Sequence, residues 1–269
     1  MTGPEHLGQD VLREIDKVSE VSGYLWRKGW AERNGGNISV NLTGLSGVPA
    51  VPGGRRLELP TGLPFEAGGM TFFVTGKGER LRDLGKPPRA GGVIVLGQDA
   101  RSCSLAWSAA DGSRFEVTSE FVSHVMLHLD LVARGNGYRA VVHTHPTNLI
   151  ALSHHPAYGR DETALTRTLW GMLPEVRAFV PGGIAIAPYT LPGSAELARL
   201  TVEALRKADV VLWSKHGATA SGRDAIEAFD FIDVADKGAS VLLACLAAGY
   251  EPEGLSDEEL RGLEDALGL

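Results

Sequence analysis

Arg139-Ala140-Val141-Val142-His143-Thr144-His145-Pro146-Thr147-Asn148-Leu149 is the stretch from which the rest of the chain is best read. Its apolar run predicts a buried strand that ends in two histidines. Residues two apart on a strand face the same side, so His143 and His145 can aim their rings at one point. Pro146 lacks the N–H needed to continue the ladder, which puts the pair at a strand end, where open α/β sheets tend to hold ligands. Two neutral imidazoles so placed suit a divalent transition metal such as zinc. With 8 histidines in 269 residues, chance alone supplies roughly a quarter of such a pair, so the spacing needs support from elsewhere.

Support comes from Val210-Val211-Leu212-Trp213, a second buried strand that delivers Ser214-Lys215-His216-Gly217. His216 leaves its strand much as His145 leaves the first, and Gly217 permits close backbone approach. Three histidines with an open fourth position match a catalytic zinc site better than a closed structural one; a capping histidine in a surface turn is the competing reading of His216. His124 and His128 stand one helical turn apart but lack the His-Glu-x-x-His spacing, and are read as a polar helix face. His154 and His155 are read as loop residues.

Outward from these strands, helices are predicted for Leu7 to Lys28, ended by Gly29, and for Phe121 to Val132. Further helices are predicted for Glu162 to Trp170, from Ser194 as cap to Lys207, for Ala225 to Ala248, and for Asp257 to Leu267. Strands are predicted at Ile38–Leu42, Met70–Val74, Gly92–Leu96 and Cys103–Trp107, with an Asp111-Gly112 turn, and at Phe179–Val180 and Ile184–Ile186 around Pro181-Gly182-Gly183. The Gly- and Pro-rich residues 43–69 read as a surface insertion and 250–269 as a tail ending in a helix. The pattern predicts one α/β domain spanning 1–269, a central sheet with helices on both faces, and leaves sheet direction open.

Hydrophobic content of 43%, charged content of 22% and a net charge of −7 describe an ordinary globular chain with nothing to draw it to nucleic acid or anionic lipid. Two cysteines, Cys103 and Cys245, form neither a disulfide framework nor a redox motif. No apolar run approaches the roughly 18 residues of a membrane span, and the polar N-terminal stretch, with Arg13, Glu14, Asp16 and Lys17 in its first helical pattern, is not expected to act as a signal peptide. A cytoplasmic location is expected.

Three stretches offer anion cradles. Thr118-Ser119-Glu120 precedes the helix of Phe121, where hydroxyls and free N–H groups gather, although a first-turn carboxylate is also what simple capping produces. Asn34-Gly35-Gly36-Asn37 combines two amides with glycines. Thr75-Gly76-Lys77-Gly78 adds a cation. None is a Walker-type loop.

Taken in order, Lys28-Gly29-Trp30-Ala31-Glu32-Arg33-Asn34-Gly35-Gly36-Asn37, Thr118-Ser119-Glu120, His143-Thr144-His145 with Thr147-Asn148-Leu149-Ile150-Ala151-Leu152, and Lys215-His216-Gly217 closely resemble the class II (zinc) aldolase and adducin family. The likeness runs from about Trp26 to Ala239, with Thr166-Arg167-Thr168-Leu169-Trp170 and Leu191-Pro192-Gly193 as further matches. Arg33-Asn34-Gly35-Gly36-Asn37 is its specific part; the His-x-His and His-Gly pieces are shared with enzymes acting on fuculose and ribulose phosphates. The resemblance implies a three-layer fold, a zinc ion on His143, His145 and His216, and Glu120 as acid/base. It implies that Asn34, Gly36, Asn37, Thr75, Gly76, Thr118 and Ser119 hold substrate phosphate. Glu175 falls where the family has a second carboxylate that reaches a neighbouring subunit's site, in a cyclic tetramer with sites at subunit boundaries. The implied activity is reversible cleavage of L-rhamnulose 1-phosphate to dihydroxyacetone phosphate and L-lactaldehyde. A sister aldolase or 4-epimerase, and a non-catalytic adducin-like interaction module, are the competing members. Lys77 stands where the family has a small hydroxyl residue, and could supply charge or point to solvent.

Overall fold

A computed structural model describes residues 7–48, 55–60, 62–85, 91–108 and 114–269. The first helix, α1 (Gln9–Arg27), buries Val11, Ile15, Val18, Val21 and Leu25, the apolar stripe of a 3.6-residue period. Gly29 ends it at φ +72°, as a left-handed C′ glycine does. There follow β1 (Asn37–Asn41), β2 (Arg55–Leu57), β3 (Thr71–Thr75), β4 (Gly91–Leu96) and β5 (Cys103–Ser108), then α2 (Phe121–Arg134) and β6 (Ala140–Thr144). Three helices come next, α3 (Thr147–Ser153), α4 (Glu162–Met172) and α5 (Pro174–Phe179), before β7 (Ile184–Ala187) and α6 (Ala195–Leu205). The chain closes with the hairpin β8 (Val210–Trp213) and β9 (Gly217–Gly222), then α7 (Ala225–Ala247) and α8 (Asp257–Leu267).

Among the described residues these strands form one nine-stranded sheet, ordered β2-β5-β4-β3-β1-β6-β9-β8-β7. Only β7 and β8 run parallel. Alternation along the strands divides the core into layers. Val142, Phe73, Val93 and Leu212 pack with α1, α3, α4 and α7 on one face. Their sequence neighbours Val141, Phe72, Ile94 and Val211 face the other way, towards α2 and α6. Helices thus cover both faces of the sheet, the three-layer α/β arrangement expected from the sequence. Phe72 and Phe73 are both wholly buried on opposite faces, so truncating either to alanine costs about 3–5 kcal/mol. The tail helix α8 is capped by a Ser256/Glu259 box and docked by Arg177, whose Nε donates to Glu264 at 2.9 Å.

Several elements differ from the sequence reading. Phe179 ends α5 and lies in no strand: Pro174 at the first helical position presets φ for a six-residue helix. β9 lies in Gly217-Ala218-Thr219-Ala220-Ser221-Gly222, whose small side chains give little strand signal but let it pack inside the sheet. The insertion at 43–69 is more than a surface excursion. It contributes β2, paired with β5 at the sheet edge, and buries Leu57 and Ala67. The Asp111-Gly112 turn and part of that insertion (49–54 and 61) lie outside the described residues. Both cysteines are free, and among the described residues no helix is long and apolar enough to cross a membrane.

Candidate metal centre and active site

Two strand ends and one hairpin turn bring the three histidines together. His143 is the penultimate residue of β6 and His145 follows the strand's last residue, Thr144. Opposite them, Thr144 pairs with Ala218 across the β6–β9 ladder, which draws the β8–β9 turn, and with it His216, onto the same point. That turn is tightly set. Lys215 takes a left-handed φ of +63° and its N–H donates to Ser153 Oγ at 2.8 Å. At Gly217 a Cβ would lie 2.5 Å from Thr144 O and 2.8 Å from His143 Cε1. Ring centroids of the three histidines are 4.9–5.4 Å apart, and one nitrogen from each falls within 4.8 Å of the others.

Outer contacts orient the rings. His143 Nδ1 lies 3.1 Å from both Ala218 O and Thr219 Oγ1, and Trp213 stacks on the ring at 4.3 Å between centroids. Donation from Nδ1–H to the Ala218 carbonyl turns the Nε2 lone pair into the site. His145 Nδ1 is 2.6 Å from Glu32 Oε1 in the same manner. The backbone N–H of His145 and the Thr144 hydroxyl both donate to Trp30 O. Asp236 on α7 accepts from the first N–H groups of α3, at Asn148 and Leu149, fixing the chain just beyond Pro146.

These residues fit a divalent metal. His143 Nε2 and His216 Nδ1 are buried with no hydrogen-bond partner among the described residues, which is costly for a polar atom unless something ligates it. Burial, reinforced by the neighbouring imidazoles, holds His143 well below the usual histidine range, and burial brings His216 down to about 4. Both rings therefore keep a free lone pair at neutral pH, the form a metal binds.

Glu120 stands beside this centre. It is the residue before α2, yet its carboxylate makes no capping bond; the capping alternative is not what the chain builds. Asn37 Nδ2 donates to Glu120 Oε2 at 2.5 Å, and the same oxygen lies 3.8 Å from His143 Nε2. Burial raises the Glu120 pKa, opposed by the Asn37 bond and by His145.

The other candidate residues gather from neighbouring elements. Asn37 pairs with His143 across β1 and β6. Gly36, at φ +76°, leaves no room for a side chain, since a Cβ would lie 2.9 Å from His143 O. Asn34 is exposed just before it. Thr75 ends β3, and its hydroxyl accepts from the Ile38 N–H at 3.1 Å. Gly76 bridges to Val117 and the Lys77 N–H donates to Glu116 O, which sets Thr75-Gly76 alongside Thr118-Ser119. Thr118 is buried and Ser119 exposed. The Leu191-Pro192-Gly193 loop abuts Ser119, where a Cβ on Gly193 would meet Ser119 O at 3.0 Å. Lys77 itself pairs with Glu116 at 3.2 Å on the surface. Glu175 is exposed in the first turn of α5, with no hydrogen bond or ion pair among the described residues.

One histidine pair is unlike its sequence reading. His124 and His128 lie on the inner face of α2, 2% and 0% exposed, and both rings meet the hydroxyl of Ser39 at 2.7 Å. They are core groups because α2 turns that stripe towards β1. The sequence reading also passed over Glu32, Ser39, Trp213, Thr219 and Asp236 as supports of the site. Ser39 was within reach, since it lies two residues beyond Asn37 on a strand and so shares its face.

Residues 16–243 match the model of the "Class II Aldolase and Adducin N-terminal domain" family. A rhamnulose-1-phosphate aldolase of Bacteroides thetaiotaomicron is 41% identical over 266 residues, covering 96% of this chain and 96% of that protein. One of Listeria innocua is 30% identical, covering 98% of this chain and 95% of that protein. Among solved structures, a sugar-phosphate aldolase from Thermotoga maritima superposes with a TM-score of 0.77 at 30% identity, covering 91% of this chain and 100% of that one. With three histidines converging on one point beside a buried carboxyl group, on a fold and sequence shared almost end to end with these proteins, the chain belongs to the class II aldolase and adducin N-terminal domain family.

Proposed function

We propose that this chain is a metal-dependent aldehyde-lyase that reversibly cleaves L-rhamnulose 1-phosphate to dihydroxyacetone phosphate and L-lactaldehyde. The substrate assignment is supported by the rhamnulose-1-phosphate aldolases that match it over nearly their whole length. The observation that carries the chemistry is the approach of Glu120 Oε2 to 3.8 Å from the unpartnered His143 Nε2. His143, His145 and His216 would hold the metal, and zinc suits three neutral imidazoles. Bound there, it supplies Lewis-acid stabilisation for charge developing on the ketose oxygens.

The chain's own residues do the rest. Cleavage breaks the C3–C4 bond and leaves its electron pair on the C3 side, while the C4 hydroxyl gives its proton to solvent water as the aldehyde forms and solvent returns one to Glu120 after each turnover. Glu120 returns a proton at C3, and removes it in the synthetic direction; a buried carboxyl of raised pKa is suited to holding that proton. Asn34, Gly36, Asn37, Thr75, Gly76, Thr118 and Ser119 clamp the phosphate away from the breaking bond, and orientation of this kind contributes several kcal/mol to the rate. Glu175 would act in a neighbouring subunit's site within a homotetramer, which suits a carboxylate that is exposed on its own chain. Because a phosphorylated sugar is kept inside the cell by its charge, the enzyme would work in the cytoplasm.

The test is cleavage of L-rhamnulose 1-phosphate against L-fuculose 1-phosphate by zinc-loaded protein, with dihydroxyacetone phosphate followed by a coupled NADH assay. Preference for rhamnulose phosphate is expected. Faster turnover of fuculose phosphate would make the chain a sister enzyme, and no cleavage of either would make it an interaction module.

A further inference from the structure

The buried histidines of α2 form no metal site of their own, because their ring nitrogens meet at the Ser39 hydroxyl rather than at each other. They end instead at the catalytic carboxylate. His128 Nε2 bonds Ser39 Oγ, Ser39 Oγ bonds His124 Nδ1, His124 Nε2 bonds Asn37 Oδ1, and Asn37 Nδ2 bonds Glu120 Oε2. Every member of this chain is buried.

The direction of the chain follows from its end. An ionised carboxylate only accepts, so Asn37 must turn its Nδ2–H towards Glu120 and its oxygen towards His124. His124 must then carry its proton on Nε2. That leaves Nδ1 bare, to accept the Ser39 hydroxyl hydrogen, and Ser39 in turn accepts from His128 Nε2–H. The His128 ring ends with a bare Nδ1, the one ring nitrogen of the pair that has no partner among the described residues. The opposite tautomer would strand a buried N–H there. Burial holds both rings far down, to about 3, so neither is charged at neutral pH.

We propose that His128, Ser39 and His124 are positioning residues that fix the rotation of the Asn37 amide, and through it the aim of the Glu120 carboxylate. Asn37 then has one N–H left to offer a substrate, because its oxygen and its other N–H are committed. The inference rests on Glu120 acting in turnover, as proposed above.

Two substitutions at one position separate this from simple packing. In His124→Gln the amide nitrogen falls near the place of Nε2 and can still donate to Asn37. In His124→Asn the side chain reaches only as far as Nδ1, and that donation is lost. Turnover in the zinc-loaded protein should fall about 10²-fold in His124→Asn, as it does when a reacting group is displaced by about 1 Å. KM should change little, and His124→Gln should recover most of kcat. Equal kcat in the two variants, reduced or not, would overturn the proposal. A readout independent of turnover is the ¹⁵N spectrum of the imidazoles in the wild-type protein, which reports which ring nitrogen carries the proton. Nε2–H on both His124 and His128 is expected, and Nδ1–H on His124 would also overturn it. If the wild type cleaves no sugar phosphate, the aldolase assignment fails, while the imidazole spectra still decide whether the relay exists.

Discussion

Replacing Gly217 by alanine drives a methyl group into the seam between β6 and β9. Built on the backbone, its carbon lies 2.5 Å from Thr144 O, 2.8 Å from His143 Cε1 and 3.0 Å from His145 Cδ2. Close carbon–oxygen contacts settle near roughly 3.3 Å, so the Thr144 carbonyl must retreat by about 0.8 Å. It is a backbone atom in a strand ladder, where Thr144 pairs with Ala218, and cannot swing aside as a side chain would. Overpacking of this sort costs about 1–3 kcal/mol. The two histidines flanking Thr144 move with it, and a displacement near 1 Å is worth about 10² in turnover. Urea unfolding of the metal-free variant should therefore report a loss of about 1–3 kcal/mol. A zinc competition titration should report weaker binding, and kcat should fall about 10²-fold. Gly262→Ala is the control. That glycine lies in α8 with nothing within 4 Å of an added Cβ, and the change should stabilise by about 0.5–1 kcal/mol. A Gly217→Ala protein with wild-type stability, zinc affinity and kcat would mean that the β6–β9 seam has room for the methyl group.

Three further outcomes follow from the same geometry. Glu120→Gln keeps an oxygen for the Asn37 N–H but cannot shuttle a proton, so kcat should drop about 10²–10⁴-fold with a smaller change in KM; retention of more than about a tenth of kcat would remove Glu120 from proton transfer. His124 and His128 should make the fold acid-sensitive. Their folded pKa values lie near 3 against an ordinary 6.5, so between these limits the unfolded chain binds more protons and stability falls as pH drops below about 6.5. Each ring accounts for about 2 kcal/mol lost between pH 7 and pH 5, and a His124→Gln/His128→Gln protein with an unchanged pH slope in urea unfolding would contradict this. Glu175→Ala and His143→Ala should each be inactive alone and should recover part of the activity after subunit exchange; verified exchange without recovery would confine Glu175 to its own chain or remove it from catalysis.

Much of the molecule was legible because its signals are local. The α1 stripe from Val11 to Leu25 and the Gly29 stop report a helix without reference to anything distant, and so does the Ser194 cap of α6, whose hydroxyl accepts from Leu197 N. The strand bearing His143 was legible for the same reason, as a continuous apolar run cut by proline. What escaped depends on partners far along the chain. β9 is built of residues with weak strand preference, and exists because β6 and β8 flank it on either side. Nothing within the segment around α5 sets Phe179 apart from a strand residue; the helix comes from Pro174 upstream of it. The polarity of His124 and His128 suggested solvent, but a hydroxyl on β1, more than eighty positions away, satisfies both rings. The three histidines that converge in space were picked out by chemistry and spacing. Their supports, Glu32, Thr219 and Asp236, were missed because an acid in a loop or helix, or a threonine on a strand, announces no partner.

Turnover is predicted to depend on a metal held jointly by His143, His145 and His216. The most direct measurement is zinc content per chain set against cleavage rate, for wild type and His143→Ala. The wild type should carry zinc, lose activity on chelation and regain it on adding the metal back, while folded His143→Ala should carry little zinc and stay inactive. A folded His143→Ala protein with a full complement of zinc, or a wild type that cleaves its substrate at an undiminished rate after metal removal, would contradict it.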